Sequence, residues 1–180
     1  MSHRLTLPVL MFAWLLCSVA HAADAPAPVA LGDGAVHFTP PSAESWEPSK
    51  HATARILAYT TKKHDAIVAI ELLPDDMVVD KETTGAIVKQ LRGAHGQAKV
   101  VLQPTVESDE RFALKIHERY EVGKGANIKV ADVLHLYRYV GKRLVMATVN
   151  SVSDDPEAVK AAHADAQECL VSATGPVKGR

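Results

Sequence analysis

Residues 65–73 read Asp-Ala-Ile-Val-Ala-Ile-Glu-Leu-Leu. In an extended chain Ala66, Val68, Ile70 and Leu72 point to one side, and Ile67, Ala69 and Leu73 point to the other. A strand apolar on both faces belongs inside a sheet that is covered on both sides, which argues against an open sheet with one wet face. Residues 54–60 are a second extended segment just upstream. The short polar link Lys62-Lys63-His64 makes the two a hairpin.

Working outward, the period changes after Asp80. Thr84, Ile87, Val88 and Leu91 fall on one stripe of a helix, with Asp80 as its N-cap and Gly93 and Gly96 marking its end. Four strands follow, at residues 99–106, 111–122, 130–140 and 143–152, and the short turns between them predict antiparallel neighbours. A last helix is signalled by Asp155 as cap, Pro156 at the first position and Glu157 in the first turn. Its apolar stripe is Val159, Ala162, Ala166, Cys169, Leu170 and Ala173, and Gly175-Pro176 is expected to end it. Upstream of the hairpin, residues 35–38 read as a short strand stopped by Pro40-Pro41, with Trp46 in a loop. The predicted order is β-β-β-α-β-β-β-β-α. This is an α+β chain, expected to form a three-layer α/β/α sandwich with a mainly antiparallel sheet of about six or seven strands and one helix on each side.

The N-terminus gives a compartment. After Arg4, residues 5–20 are apolar apart from Thr6, Pro8 and Ser18, shorter than the ~20 apolar residues of a membrane helix. Ala20-His21-Ala22 places small residues where a signal peptidase reads, so residues 1–22 are expected to be a signal peptide and the exported chain to start at Ala23. Periplasm or secretion is the expected location, with no stable membrane span after cleavage. Residues 23–34 then read as a flexible leader, 35–175 as one domain and 176–180 as a tail. Cleavage leaves 158 of the 180 residues and Cys169 as the sole thiol, so no disulfide can form within the chain. With Arg4 gone, 19 Lys and Arg stand against 21 Asp and Glu, a balance that gives no reason to expect a nucleic acid partner.

No residue pattern specifies a reaction. No G-x-S-x-G occurs, and Gly123-Lys124-Gly125 lacks both the spacing of a phosphate loop and a following helix, so it reads as a hairpin turn. His117-Glu118-Arg119-Tyr120-Glu121 resembles a zincin motif. However, Glu121 replaces the second histidine, and in a strand the two ends lie ~13 Å apart. His117 and His135 can approach only if their strand faces coincide, while His37, His51, His64, His95 and His163 are scattered, so neither metal nor cofactor is expected. Cys169 reads as a buried small hydrophobe, and Trp46 as a plug at the core edge or a ligand stacker. One patch is a candidate partner-binding surface: Lys115, His117 and Arg119 alternate along one strand, and His135, Tyr137 and Tyr139 along another. The competing reading makes them cross-strand pairs beside or beneath a helix.

Several features together resemble the PsbP-like superfamily, which includes Ran-binding Mog-type import factors and DcrB-like bacterial envelope proteins. They are Phe38-Thr39-Pro40-Pro41 leading to Trp46, the hairpin ending in residues 66–74, the helix after Asp80, the antiparallel run, and a closing helix after residues 149–153. The resemblance spans roughly residues 36–173 and implies an antiparallel α/β/α sandwich used as a binding or accessory module. It carries over no catalytic residues. Bacterial envelope members are often lipoproteins, whereas bulky Trp14-Leu15-Leu16 precede Cys17 here and leave no usable lipobox. The expected function is therefore a non-enzymatic periplasmic accessory protein acting by contact with another envelope protein. The alternatives are a small-ligand binder of helix-grip type and, third, a metal-binding or hydrolytic enzyme.

Overall fold

A computed structural model describes residues 26–50, 52–96 and 98–176. The expected signal peptide with Cys17, residues 23–25, His51 and residues 177–180 of the tail lie outside the described residues.

The central hairpin forms as its sequence requires. β4 (Ile56–Thr61) pairs antiparallel with β5 (Ala66–Leu72), matching Ala58 to Ala69. β5 continues to β9 (Arg143–Ser151), and the sheet extends through β8 (Lys129–Val140) and β7 (Leu114–Val122) to β6 (Val100–Glu107). With β3 (Trp46–Pro48) on the opposite edge, the order of the seven-stranded antiparallel sheet is β3-β4-β5-β9-β8-β7-β6. β5 is thus interior, in keeping with its two apolar faces. Gly123 and Gly125 both take positive φ in the β7–β8 turn, and a Cβ on Gly123 would collide with the Asn127 carbonyl. The glycines serve a hairpin.

The two helices cover opposite faces. α2 (Pro156–Val171) lays Ala162, Ala166, Cys169 and Leu170 against Val68, Ile70 and their neighbours on one face of the sheet. α1 (Lys81–Ala94) sets Ile87, Val88 and Leu91 over Leu114, Ile116, Tyr137 and Leu144 on the other face. The coverage is unequal. α1 has no fully buried residue, and on β5 the face towards α2 is buried while Ile67, Ala69 and Glu71 are only half-buried. Both expected caps form: Asp80 accepts from the Thr83 N–H at 2.7 Å and Asp155 from the Glu157 N–H at 3.0 Å.

Three expectations are corrected. Regular structure begins before residue 35: β1 (Val29–Leu31) pairs with β2 (Val36–Phe38) in a separate ribbon, and Leu31 is buried in the α2-side core. Trp46 opens an edge strand rather than standing in a loop, so five strands precede α1 instead of three. Its indole is buried and donates to Asp165 Oδ2 at 2.7 Å, which makes it a core-edge plug. α2 stops at Val171, short of Gly175-Pro176. Arg138 donates to the Leu170 and Ala173 carbonyls at 3.1 and 2.8 Å, satisfying the free carbonyls of the helix end, and Thr174 pairs with His37 in an isolated bridge.

Candidate functional site

The β7–β8 register decides what the six candidate residues can do together. Leu114 faces Tyr137 and Ile116 faces His135, whereas His117 faces Leu134 and Arg119 faces Asp132. Odd positions of β7 therefore share a face with even positions of β8. Lys115, His117 and Arg119 lie on the face towards α2, and His135, Tyr137 and Tyr139 lie on the face towards α1. The expected single surface is split by the sheet itself. Nor do His117 and His135 meet. Tyr137 is buried, its hydroxyl pushed up to about 12 by burial and by nearby Glu71. Tyr139 is partly exposed and accepts a hydrogen bond from the Val79 N–H at 2.8 Å.

On the α2 face, Asp132 gathers three basic groups. His117 Nε2 lies 2.8 Å from Asp132 Oδ1 and Arg119 Nε lies 3.1 Å from Oδ2. His163, one turn beyond Val159 on α2, brings its own Nε2 to 3.2 Å from Oδ1. The two imidazoles meet edge to face with centroids 5.7 Å apart. Burial raises the Asp132 carboxyl, but the hydrogen bond with His117 and the charges of His117 and His163 outweigh it and hold the group well below its usual range. The cluster lines an open cleft of about 760 Å³ that Lys160 and Asp154 also border. Neither Asp132 nor the part played by His163 was found from sequence. Their separations from His117 match no motif, and only the strand register and the face of α2 bring the three together.

The α1 face holds a second cluster. Glu118 is 2% exposed, with His95 Nε2 2.9 Å from Oε2 and His135 Nε2 3.4 Å from Oε1. His135 Nδ1 lies 3.0 Å from Thr148 Oγ1, and His95 stacks at a tilt on Tyr120. Burial lowers the His135 pKa despite the opposing pull of Glu118. Thr148, His135 and Glu118 resemble a hydroxyl–imidazole–carboxylate relay. However, Thr148 sits in mid-strand between Ala69 and His135, where the neighbouring N–H groups belong to the ladder and none is free to hold an oxyanion. The arrangement satisfies buried polar groups. Cys169 is likewise unsuited to chemistry: it is buried, and burial followed by Asp165 and Glu168 pushes its thiol up to about 12.

Two helices on a seven-stranded antiparallel sheet, with a side ribbon, define an α+β sandwich. The structure is similar to that of cyanobacterial PsbP (CyanoP) from Synechocystis sp. PCC 6803, with a TM-score of 0.51 and 14% identity over 89% of this chain and 98% of that one. It is also similar to the Ran-binding protein Mog1p of Saccharomyces cerevisiae, with a TM-score of 0.45 and 16% identity over 81% and 88% of the two chains. LpqN, a Mycobacterium tuberculosis protein involved in cell envelope biogenesis, gives a TM-score of 0.44 and 10% identity over 83% and 90%. At these identities the likeness is one of fold. No protein-family model matches the chain, and no curated protein matches it. No helix among the described residues is long and apolar enough to cross a membrane.

Proposed function

We propose that the chain is an exported, non-enzymatic accessory protein of the bacterial cell envelope, released by cleavage after Ala22 and acting by contact with another envelope protein. The observation that carries this reading is the row of Lys115, His117 and Arg119 along β7. It is part-exposed at the cleft side, with Lys160 and His163 of α2 facing it across an open cleft. Arg combines charge with a broad contact face and is a residue type that often dominates interface energy. The leader sequence supports the compartment, and the fold shared with cyanobacterial PsbP is compatible with an accessory role.

The helix-grip alternative requires a cavity between the long helix and the sheet. Here Ala162, Ala166 and Cys169 are small residues that let α2 lie flush on Val68, Ala147 and Val149. Along these residues the helix rests on the sheet, and the open cleft lies to one side, beside His117 and His163.

The test is capture from an envelope extract by the tagged protein, compared with a Lys115→Ala/Arg119→Ala variant. The wild type should retain a defined partner and the variant should lose most of it, with unchanged far-UV circular dichroism. Equal capture by both proteins would remove this face from the reading.

A further inference from the structure

We propose that His117, Asp132 and His163 form a binding site for one divalent first-row transition ion of the zinc type, at the floor of the cleft beside α2. The ion would be held by two imidazole nitrogens and one carboxylate oxygen. This goes beyond the partner-binding reading and departs from the sequence expectation that the chain takes no metal.

The first support is convergence. One ligand atom from each of the three side chains lies within 4.8 Å of the other two. Both Nε2 atoms approach the same oxygen, Asp132 Oδ1, at 2.8 and 3.2 Å. Zinc binds imidazole nitrogen and carboxylate oxygen at about 2.0–2.2 Å, which spaces neighbouring tetrahedral ligands about 3.3 Å apart. Small side-chain rotations therefore make room for the ion.

The second support is an orphan atom. His163 Nε2 has almost no solvent contact and no hydrogen bond of acceptable geometry, although Asp132 Oδ1 is only 3.2 Å away. A buried nitrogen without a hydrogen bond needs a partner, and in the Nδ1–H tautomer its lone pair is free to take a cation.

The third support is the way the ligands are held. Arg119 grips the other Asp132 oxygen, Oδ2, at 3.1 Å and fixes the carboxylate plane while leaving Oδ1 directed at the histidines. Its charge opposes any cation and offsets the single carboxylate. What remains is a nitrogen-dominated set, which selects against calcium and magnesium and suits zinc and its neighbours. The three side chains come from two paired strands and a helix anchored by buried Ala162, Ala166 and Leu170, so the cluster stands on rigid elements. The open side of the cleft admits the ion and leaves a position for water or for a donor from a partner.

Titrating the purified protein with Zn2+ by calorimetry in a non-chelating buffer at neutral pH is the test. One Zn2+ per chain is expected, undisturbed by excess Mg2+. His117→Ala and His163→Ala should each weaken binding at least about tenfold. To guard against variants that misfold, ring signals of the wild type are followed by NMR: those of His117 and His163 should move with Zn2+ while those of His37 and His64 stay. Absence of stoichiometric binding, binding that survives the double substitution, or shifts confined to other histidines would overturn the proposal. Partner capture is read separately, with and without Zn2+, so failure of the metal site and failure of the partner reading remain distinguishable.

Discussion

Glu118 is a buried carboxylate whose pairing carries a large cost if lost. It is 2% exposed, and its two oxygens are engaged by His95 and His135. Removing the carboxylate leaves the Nε2 atoms of His95 and His135 desolvated and without their acceptor. Glu118→Ala should therefore lower the unfolding free energy by ~3 kcal/mol, read from urea midpoints, whereas Glu118→Gln should cost less because it can still accept from a histidine. A loss below ~1 kcal/mol for the Ala variant would mean that the two imidazoles do not depend on the carboxylate. The sequence shows half of this. In residues 114–122 the alternation of Leu114, Ile116 and Glu118 against Lys115, His117 and Arg119 is legible, and it separates the two faces. The register with β8 is not legible, because a shift of one residue would exchange which histidine meets which carboxylate. Without that register the sequence offers His117 and His135 as one surface, and the structure places them on opposite faces.

Helices and long strands were legible because each carries its own period and punctuation. Asp80 and Asp155 act as caps where the sequence places them, and β5 is interior because both its faces are apolar. β1 and β3 were missed for the converse reason. Each has three residues, too few to show a period of two, and each is defined by a partner elsewhere: β1 by β2, and β3 by β4. The end of α2 was misplaced because the groups that stop it, Arg138 and the His37–Thr174 bridge, are remote in sequence. The ribbon has a measurable consequence. Leu31 is 1% exposed, and a Cβ on neighbouring Gly32 would run into Leu72 of β5. If residues 29–31 seal the core as described, Leu31→Ala should cost ~3 kcal/mol. A flexible leader would lose no more than about 0.5 kcal/mol on the same change. Thermal unfolding of the two proteins separates the cases.

The sheet carries a histidine–carboxylate cluster on each face, and both tie the stability of the molecule to pH with the same sign. Folded His135 is kept neutral below its ordinary value of 6.5, chiefly by burial. As pH falls through 6.5 the unfolded chain takes up this proton before the folded one does, so stability present above that value declines until folded His135 itself titrates. Folded Asp132 is held ionised below its ordinary value of 3.8, because the hydrogen bond with His117 and the charges of His117 and His163 outweigh its burial. Its contribution is complete above 3.8 and is lost as pH drops towards the depressed value of the folded state. Acid should therefore weaken the protein in two stages, the upper set by the face under α1 and the lower by the face under α2. Urea midpoints measured from neutral to strongly acid pH should show both. His135→Gln should flatten the upper stage, which begins as pH falls through 6.5, and leave the lower. Asp132→Asn should do the reverse. A wild type with the same midpoint at pH 7 and pH 5 would mean that Glu118 keeps His135 as readily protonated in the fold as in the open chain, and that burial does not govern this histidine.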